Sequence, residues 1–232
     1  MGHLMDIANW ANELKDKLLQ SQKDVVILDM PEVTMDDVAG YPKDTTKVVT
    51  CYAAGEGNKY ADVVILPAEG PIALNLRKER GQSIWFYGPK YRLLRPEFTH
   101  FKDRHQESGK IETVLVMLGG TDAAGLAQSV GQQLKDYEVI YARGRKDIPE
   151  LLSDVDLAIV SPGFSMWEAL YVGCPVLIVP QNARQERYRA DFPLVERIET
   201  IPELIQDRMF VLPDPAFEIS EGKQELFEEI LR

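Results

Sequence analysis

The sequence predicts an α/β protein of two lobes, each built on a parallel sheet. Three observations carry that expectation. Short apolar runs alternate with amphipathic stretches along most of the 232 residues. The runs lack in-and-out alternation, as expected of strands covered on both faces. A polar stretch near 99–111 splits the pattern into two blocks. Strand, helix and strand in rotation then imply βαβ units with right-handed crossovers.

The elements follow in order. Residues 5–20 place Ile7, Trp10, Ala11, Leu14, Leu18 and Leu19 on one helical stripe. VVIL (25–28), ending at Asp29, KVV (47–49) and DVVIL (62–66) read as strands. TVLVML (113–118) is the cleanest strand, followed by Gly119-Gly120 and a helix over 122–135. YEVIYA (137–142), DLAIV (156–160) and PVLIV (175–179) are further strands. Helices fall at 147–154, with Pro149 near the start, and at 165–173, closed by Gly173. Helical patterns return at 184–190, 202–208 and 220–231. The expected domains are an N-terminal lobe over 1–98, a linker over 99–111 and a C-terminal lobe over 112–232.

Composition narrows the function. With 45% hydrophobic and 27% charged residues, the chain is neither disordered nor a collagen or coiled-coil rod. A formal net charge of −11 argues against a general nucleic-acid binder, yet allows one phosphate pocket lined by backbone N–H groups. Two cysteines, Cys51 and Cys174, in a chain this long make neither a disulfide framework nor a zinc site, and they suit a reducing compartment. The carboxylates show no metal-ligand spacing, so neither a metal nor another cofactor is expected. No apolar stretch approaches the ~20 residues of a membrane span, and no signal peptide is visible. The expected location is cytoplasmic. A peripheral membrane contact would draw on 70–80, a short apolar segment followed by three basic residues. There is no G-x-G-x-x-G after a strand, no P-loop lysine motif and no H-E-x-x-H.

Three loops follow strand ends, where open parallel sheets bind ligands. Gly119, Gly120, Thr121 and Asp122 form either a tight turn or a close approach to a ligand, with Thr121 or Asp122 capping the next helix. Gly163, Phe164 and Ser165 open a helix whose first N–H groups suit a phosphate. Glu168, three residues after Ser165, has capping-box spacing and also lies where ribose hydroxyls would be. Residues 180–187, with Gln185, carry amides and guanidinia suited to sugar hydroxyls, or form a solvated loop.

Taken together, GPKYRLLRPEF (88–98), VLVMLGGTD and GFSMWE, within DVDLAIVSPGFSMWEALYVGCPVLIVPQNARQ, resemble the nucleotide-sugar enzymes of the GT-B type. The order of the three motifs is similar to that of the UDP-sugar hydrolase of the pseudaminic-acid pathway and related spore-coat polysaccharide proteins. The resemblance spans residues 88–188 and implies two Rossmann-like lobes and a UDP-sugar partner. It implies that Gly119, Gly120 and Thr121 border the cleft, that Gly163, Phe164 and Ser165 hold the pyrophosphate, and that Glu168 holds the ribose. Ile148 would border the uracil, Gln185 would reach the sugar and Tyr91 would lie at the lobe junction. The family's N-terminal G-x-G-H-x-x-R turn is incomplete: Gly2 and His3 align with it, but Asp6 stands at the arginine and no strand precedes, so the N-terminal lobe is shortened. His3 or Asp29 is then the candidate base, with His100 and His105 as further imidazoles; an alternative alignment starts the chain at the family's second helix and makes the match of His3 accidental. The expected activity is UDP-sugar hydrolysis, with sugar transfer or binding alone as alternatives.

Overall fold

The computed structural model describes residues 24–30, 32–51, 55–66, 81–106, 108–119, 122 and 125–232. The helical stripe over 5–20, the segment 70–80, His3, Gly120 and Thr121 lie outside the described residues. In chain order the described elements begin β1 (Asp24–Asp29), α1 (Met35–Ala39), β2 (Thr46–Cys51), β3 (Val63–Leu66) and β4 (Ile84–Tyr87). They continue β5 (Thr113–Met117), α2 (Leu126–Gln133), β6 (Glu138–Tyr141), α3 (Ile148–Asp154), β7 (Leu157–Val160) and α4 (Phe164–Val172). The last are β8 (Val176–Ile178), α5 (Ala183–Glu186), α6 (Ile201–Gln206) and α7 (Lys223–Leu231).

The strands form two four-stranded sheets, β1-β2-β3-β4 and β6-β5-β7-β8, with every pairing parallel. The fold class is α/β, as the uninterrupted apolar runs imply. Contacts divide the chain into two compact units, one running to Leu93 and taking back Ala216–Arg232, the other Leu94–Pro215.

In the first unit, alternate side chains of the central strands serve two cores. Val49, Cys51, Val63 and Ile65 pack with Leu226, Phe227 and Ile230 of α7. Val48 and Val64 point the other way, toward Val33 and Val38. Both faces are covered, which is why β3 reads as a solid apolar run. The sequence places 112–232 in one lobe, but Ala216–Arg232 belongs to the first unit. The apolar stripe on α7 fits a sheet face of either unit, and periodicity cannot choose between them. Strand β4 and helix α1 have no counterpart in the sequence-based expectation. β4 reads IWFY, too short to separate from its surroundings by period. α1 is a single turn held by a capping box, in which the Thr34 hydroxyl accepts from Asp37 N and Asp37 Oδ2 accepts from Thr34 N at 2.8 Å.

In the second unit, one core is built from Val114, Val116, Leu118, Leu157, Ile159 and Leu177, with Val130 and Leu134 and with Ile201 and Ile205 of α6. Helix α4 ends at Gly173 with φ +99°, and the Gly173 amide donates to Ala169 O and Leu170 O. The stretch 99–111, expected as a linker, is tied down to this unit. Asp103 N donates to Tyr171 O at 3.1 Å, His105 N to Val172 O at 2.9 Å and Gln106 N to Ser153 O at 3.1 Å. These acceptors are carbonyls of the last turns of α3 and α4, groups a helix leaves without internal partners. The strap is attached through main-chain amides, which need no apolar side chains.

Candidate functional site

Strand order fixes where a crevice can open. The second sheet runs from β5 out to β6, then crosses back to β7 and β8. The connections after β5 and β7 therefore depart in opposite senses, leaving a gap at their carboxyl ends. Gly119 follows β5 there, and Ser161, Pro162 and Gly163 follow β7.

Two amides draw these loops and the one after β8 together. Gln181 Nε2 donates to Leu118 O and to Ser161 Oγ, both at 2.6 Å. Gln185 Oε1 accepts from Gln181 N at 2.7 Å, while Gln185 Nε2 donates to Pro162 O at 3.2 Å. Gln185 N in turn donates to Asn182 Oδ1 at 3.1 Å. The sequence pointed to Gln185. It did not single out Gln181, although its place as the first polar side chain beyond a buried strand was a readable signal.

The two helix tips beside the gap differ. At α2, Asp122 Oδ1 accepts from Leu126 N at 2.9 Å and Asp122 Oδ2 from Ala127 N at 3.1 Å. Asp122 is thus the cap that the sequence offered, and its carboxylate already satisfies this tip. At α4 the N-cap is Gly163, with no side-chain cap bond, and its φ of +138° is glycine territory. A Cβ built on Gly163 would meet nothing within 4 Å, so space lies open in front of it. Phe164 and Ser165 form the first turn, both half-buried.

The capping box expected of Ser165 and Glu168 does not form. The helix begins at Phe164, which puts Ser165 inside the first turn. Arg95 takes Glu168 instead, Nε donating to Oε1 at 2.6 Å and Nη2 to Oε2 at 3.0 Å. The Glu168 side chain is 4% exposed and that of Arg95 27%. Arg95 also bonds Glu97 at 3.0 Å and lies over the Phe98 ring at 4.9 Å. The planar guanidinium is thereby fixed on a buried carboxylate. Residues 73 positions apart give no local signal of such a pair. Ile148 is buried as the first residue of α3, beyond β6 at the same edge of the sheet.

Other expected residues lie elsewhere. Tyr91 belongs to the first unit, where its hydroxyl donates to Glu225 Oε2 at 2.9 Å and its ring meets Phe86 edge-on at 4.9 Å. Burial first, and then Glu225, raise the Tyr91 hydroxyl above its usual range. Asp29 closes β1 opposite Cys51, whose thiol is pushed well up by burial and further by Asp29. His100 is exposed. His105 bonds Val155 O through Nε2 at 2.8 Å, at the amino end of β7 and so at the edge opposite the crevice. Asp156, also at that end, accepts from Ser108, from Glu112 N at 2.9 Å and from Thr113 N at 2.8 Å. Burial pushes its carboxyl up, but these hydrogen bonds outweigh it and hold the group at about 2.

Among the described residues no group of three or more His, Cys, Asp or Glu is placed to hold a metal. No described helix is long and apolar enough to cross a membrane.

No family model matches the chain. It is 26% identical, over an alignment of 258 residues covering 94% of this chain and 53% of the relative, to an uncharacterized protein of Methanocaldococcus jannaschii. It is 25% identical over 161 residues to the spore coat polysaccharide biosynthesis protein SpsG of Bacillus subtilis, covering 56% of this chain and 47% of the relative. The chain thus spans about half the length of the curated relatives it matches. A solved structure of the wall teichoic acid polymerase TagF with CDPG superposes with a TM-score of 0.32 at 9% identity, covering 98% of this chain and 89% of that one, too slight a likeness to bear on fold or function.

Proposed function

We propose that the second unit holds the UDP of a UDP-linked amino sugar, and that the chain acts as a UDP-sugar hydrolase in surface-polysaccharide biosynthesis. The observation that carries this reading is the open tip of α4 beside the strand-order reversal. An anion there would meet main-chain N–H groups and the positive end of a helix, whereas Asp122 already fills the tip of α2. The similarity to a spore coat polysaccharide biosynthesis protein supports the same class.

In this proposal the amides of Gly163, Phe164 and Ser165 hold the pyrophosphate. Gly119, Gly120 and Thr121 border it, Ile148 lines the uracil side, and Gln181 and Gln185 turn toward sugar hydroxyls. Glu168, oriented by Arg95, accepts from the ribose. Water attacks the anomeric carbon, the carbon–oxygen bond to the β-phosphate breaks, and its electron pair leaves with UDP. The water proton passes to a base, for which His3 and Asp29 are the candidates. Charge gathering on the leaving diphosphate falls at the α4 tip. His105, fixed at the opposite edge of the sheet, is no candidate for that role, and this favours a second reading in which the unit is a donor site for transfer or binds without turnover.

Calorimetric titration with UDP, followed by an assay for UDP release from UDP-amino sugars, tests both. UDP binding should weaken by about 1–3 kcal/mol in Glu168→Ala and in Gln181→Ala. Absence of UDP binding removes the whole reading. Binding without hydrolysis removes the hydrolase and leaves the second.

A further inference from the structure

A buried hydroxyl at the crevice is bonded on one side only. Ser161 is the first residue past β7, at the carboxyl end of the sheet, and is 3% exposed. Gln181 Nε2 lies between it and the end of β5, donating to Leu118 O and to Ser161 Oγ. A carbonyl oxygen only accepts, so the amide must face Leu118 with its nitrogen. Both N–H groups of that nitrogen are thereby spent, one on Leu118 and one on Ser161. The Ser161 oxygen is the acceptor of its pair, and its own proton is left to give. Among the described residues the Ser161 hydroxyl donates to none.

The surroundings narrow what can receive that proton. A buried donor without an acceptor is costly, and folded proteins keep few of them. Leu118 O already takes Gln181, and Pro162 O takes Gln185 Nε2. A Cβ built on Gly119 would meet only the Gln181 amide, at 3.9 Å, so no side chain comes down over that amide from the end of β5. Gly163, two residues past Ser161, likewise has open space where a side chain would stand. The hydroxyl thus sits between two glycines that leave room for a ligand.

We infer that Ser161 is a binding residue that donates to a diphosphate oxygen of the nucleotide, and that Gln181 is the positioning residue that aims its proton. A sugar hydroxyl can be met by a donor or by an acceptor and gains nothing from a fixed polarity. A phosphate oxygen can be met only by a donor, and an anionic acceptor strengthens the bond. The inference rests on the reading of the second unit as a UDP site and adds to it a side-chain donor beside the main-chain N–H groups of α4.

Titration of the whole chain with UDP and with uridine, followed through backbone amide signals, tests it. In Ser161→Ala the affinity for UDP should fall about tenfold, while that for uridine stays within about twofold. Should Ser161→Ala fail to fold, the same contrast is read in Ser161→Cys, whose thiol is a weak donor. In a Gln181→Ala background the proton is no longer aimed, so adding Ser161→Ala should cost less than about threefold. An equal loss for UDP and uridine would make Ser161 a structural residue and overturn the assignment. Unchanged UDP affinity in Ser161→Ala would also overturn it, and would leave the UDP site standing. A full tenfold loss in the Gln181→Ala background would remove the positioning role of Gln181. If UDP shifts no signal in the loops after β5, β7 and β8 of the wild type, the reading of the second unit falls and this inference with it.

Discussion

Two sheets of equal size and the same parallel sense differ in one respect, the order of their strands. In the first, β1 to β4 lie side by side in chain order, so no pair of connections diverges among the described residues. In the second, the chain reverses at β5, and the loops after β5 and β7 part. The reversal, rather than the number or pairing of strands, opens a crevice at the carboxyl edge. Helix tips also differ within the second unit: Asp122 fills one, and Gly163 leaves the other without a capping side chain.

The largest expected effect tests the charge buried beside the crevice. Arg95→Ala removes both of the guanidinium hydrogen bonds from a Glu168 carboxylate that is 4% exposed. Breaking a buried pair from one side costs about 3–5 kcal/mol, whereas replacing both partners by apolar groups of similar volume is often neutral or stabilising. Arg95→Met with Glu168→Leu should therefore recover most of the loss in urea unfolding. Hydrogen exchange sharpens the contrast between the sheets, since protection should fall on β5 and β7. An equal fall on β2 and β3 would mean that the sheets open together. A loss under about 1 kcal/mol would mean that water reaches the pair.

A smaller effect tests the strap at the opposite edge. Asp156 is held at about 2, against 3.8 for a free aspartate. Its folded value is depressed, so its contribution is present above about pH 4 and is lost as the pH falls through about 2. That contribution should be about 1–2 kcal/mol at neutral pH after allowance for solvent screening. The difference in stability between the wild type and Asp156→Asn, measured by urea unfolding at successive pH values, should shrink to near zero at the acid end. A difference that is constant with pH would place the stabilisation in packing rather than charge.

The parallel runs and the glycine-opened loops were legible because each is a local pattern: β-branched residues covered on both faces, and glycine or a polar cap just past a strand. Arg95 and the return of α7 were not, because each depends on a distant partner. Arg95 finds its carboxylate 73 residues on, and Leu226, Phe227 and Ile230 cover a sheet built from the other end of the chain. The polar stretch over 99–111 lacks an apolar period and is attached all the same. Its attachment is made by amides to the orphan carbonyls of α3 and α4, which hydrophobic patterning does not register.

The smallest effect separates two sequences with the same spacing. Thr34 and Ser165 each precede an acidic residue by three positions, and the pattern alone makes both capping boxes. Only Thr34 lies outside its helix, with Asp37 free to reach back. Ser165 follows Gly163 into the first turn, and Arg95 holds Glu168 away from the helix end. Thr34→Ala should cost about 1 kcal/mol, the usual value of a lost N-cap. Ser165→Ala should stay within about 0.5 kcal/mol in stability, as an exchange of ordinary helix residues does, while weakening UDP binding if its hydroxyl faces the pyrophosphate. Equal losses in chemical denaturation would restore the capping box at α4, and would close the helix tip on which the difference between the two sheets rests.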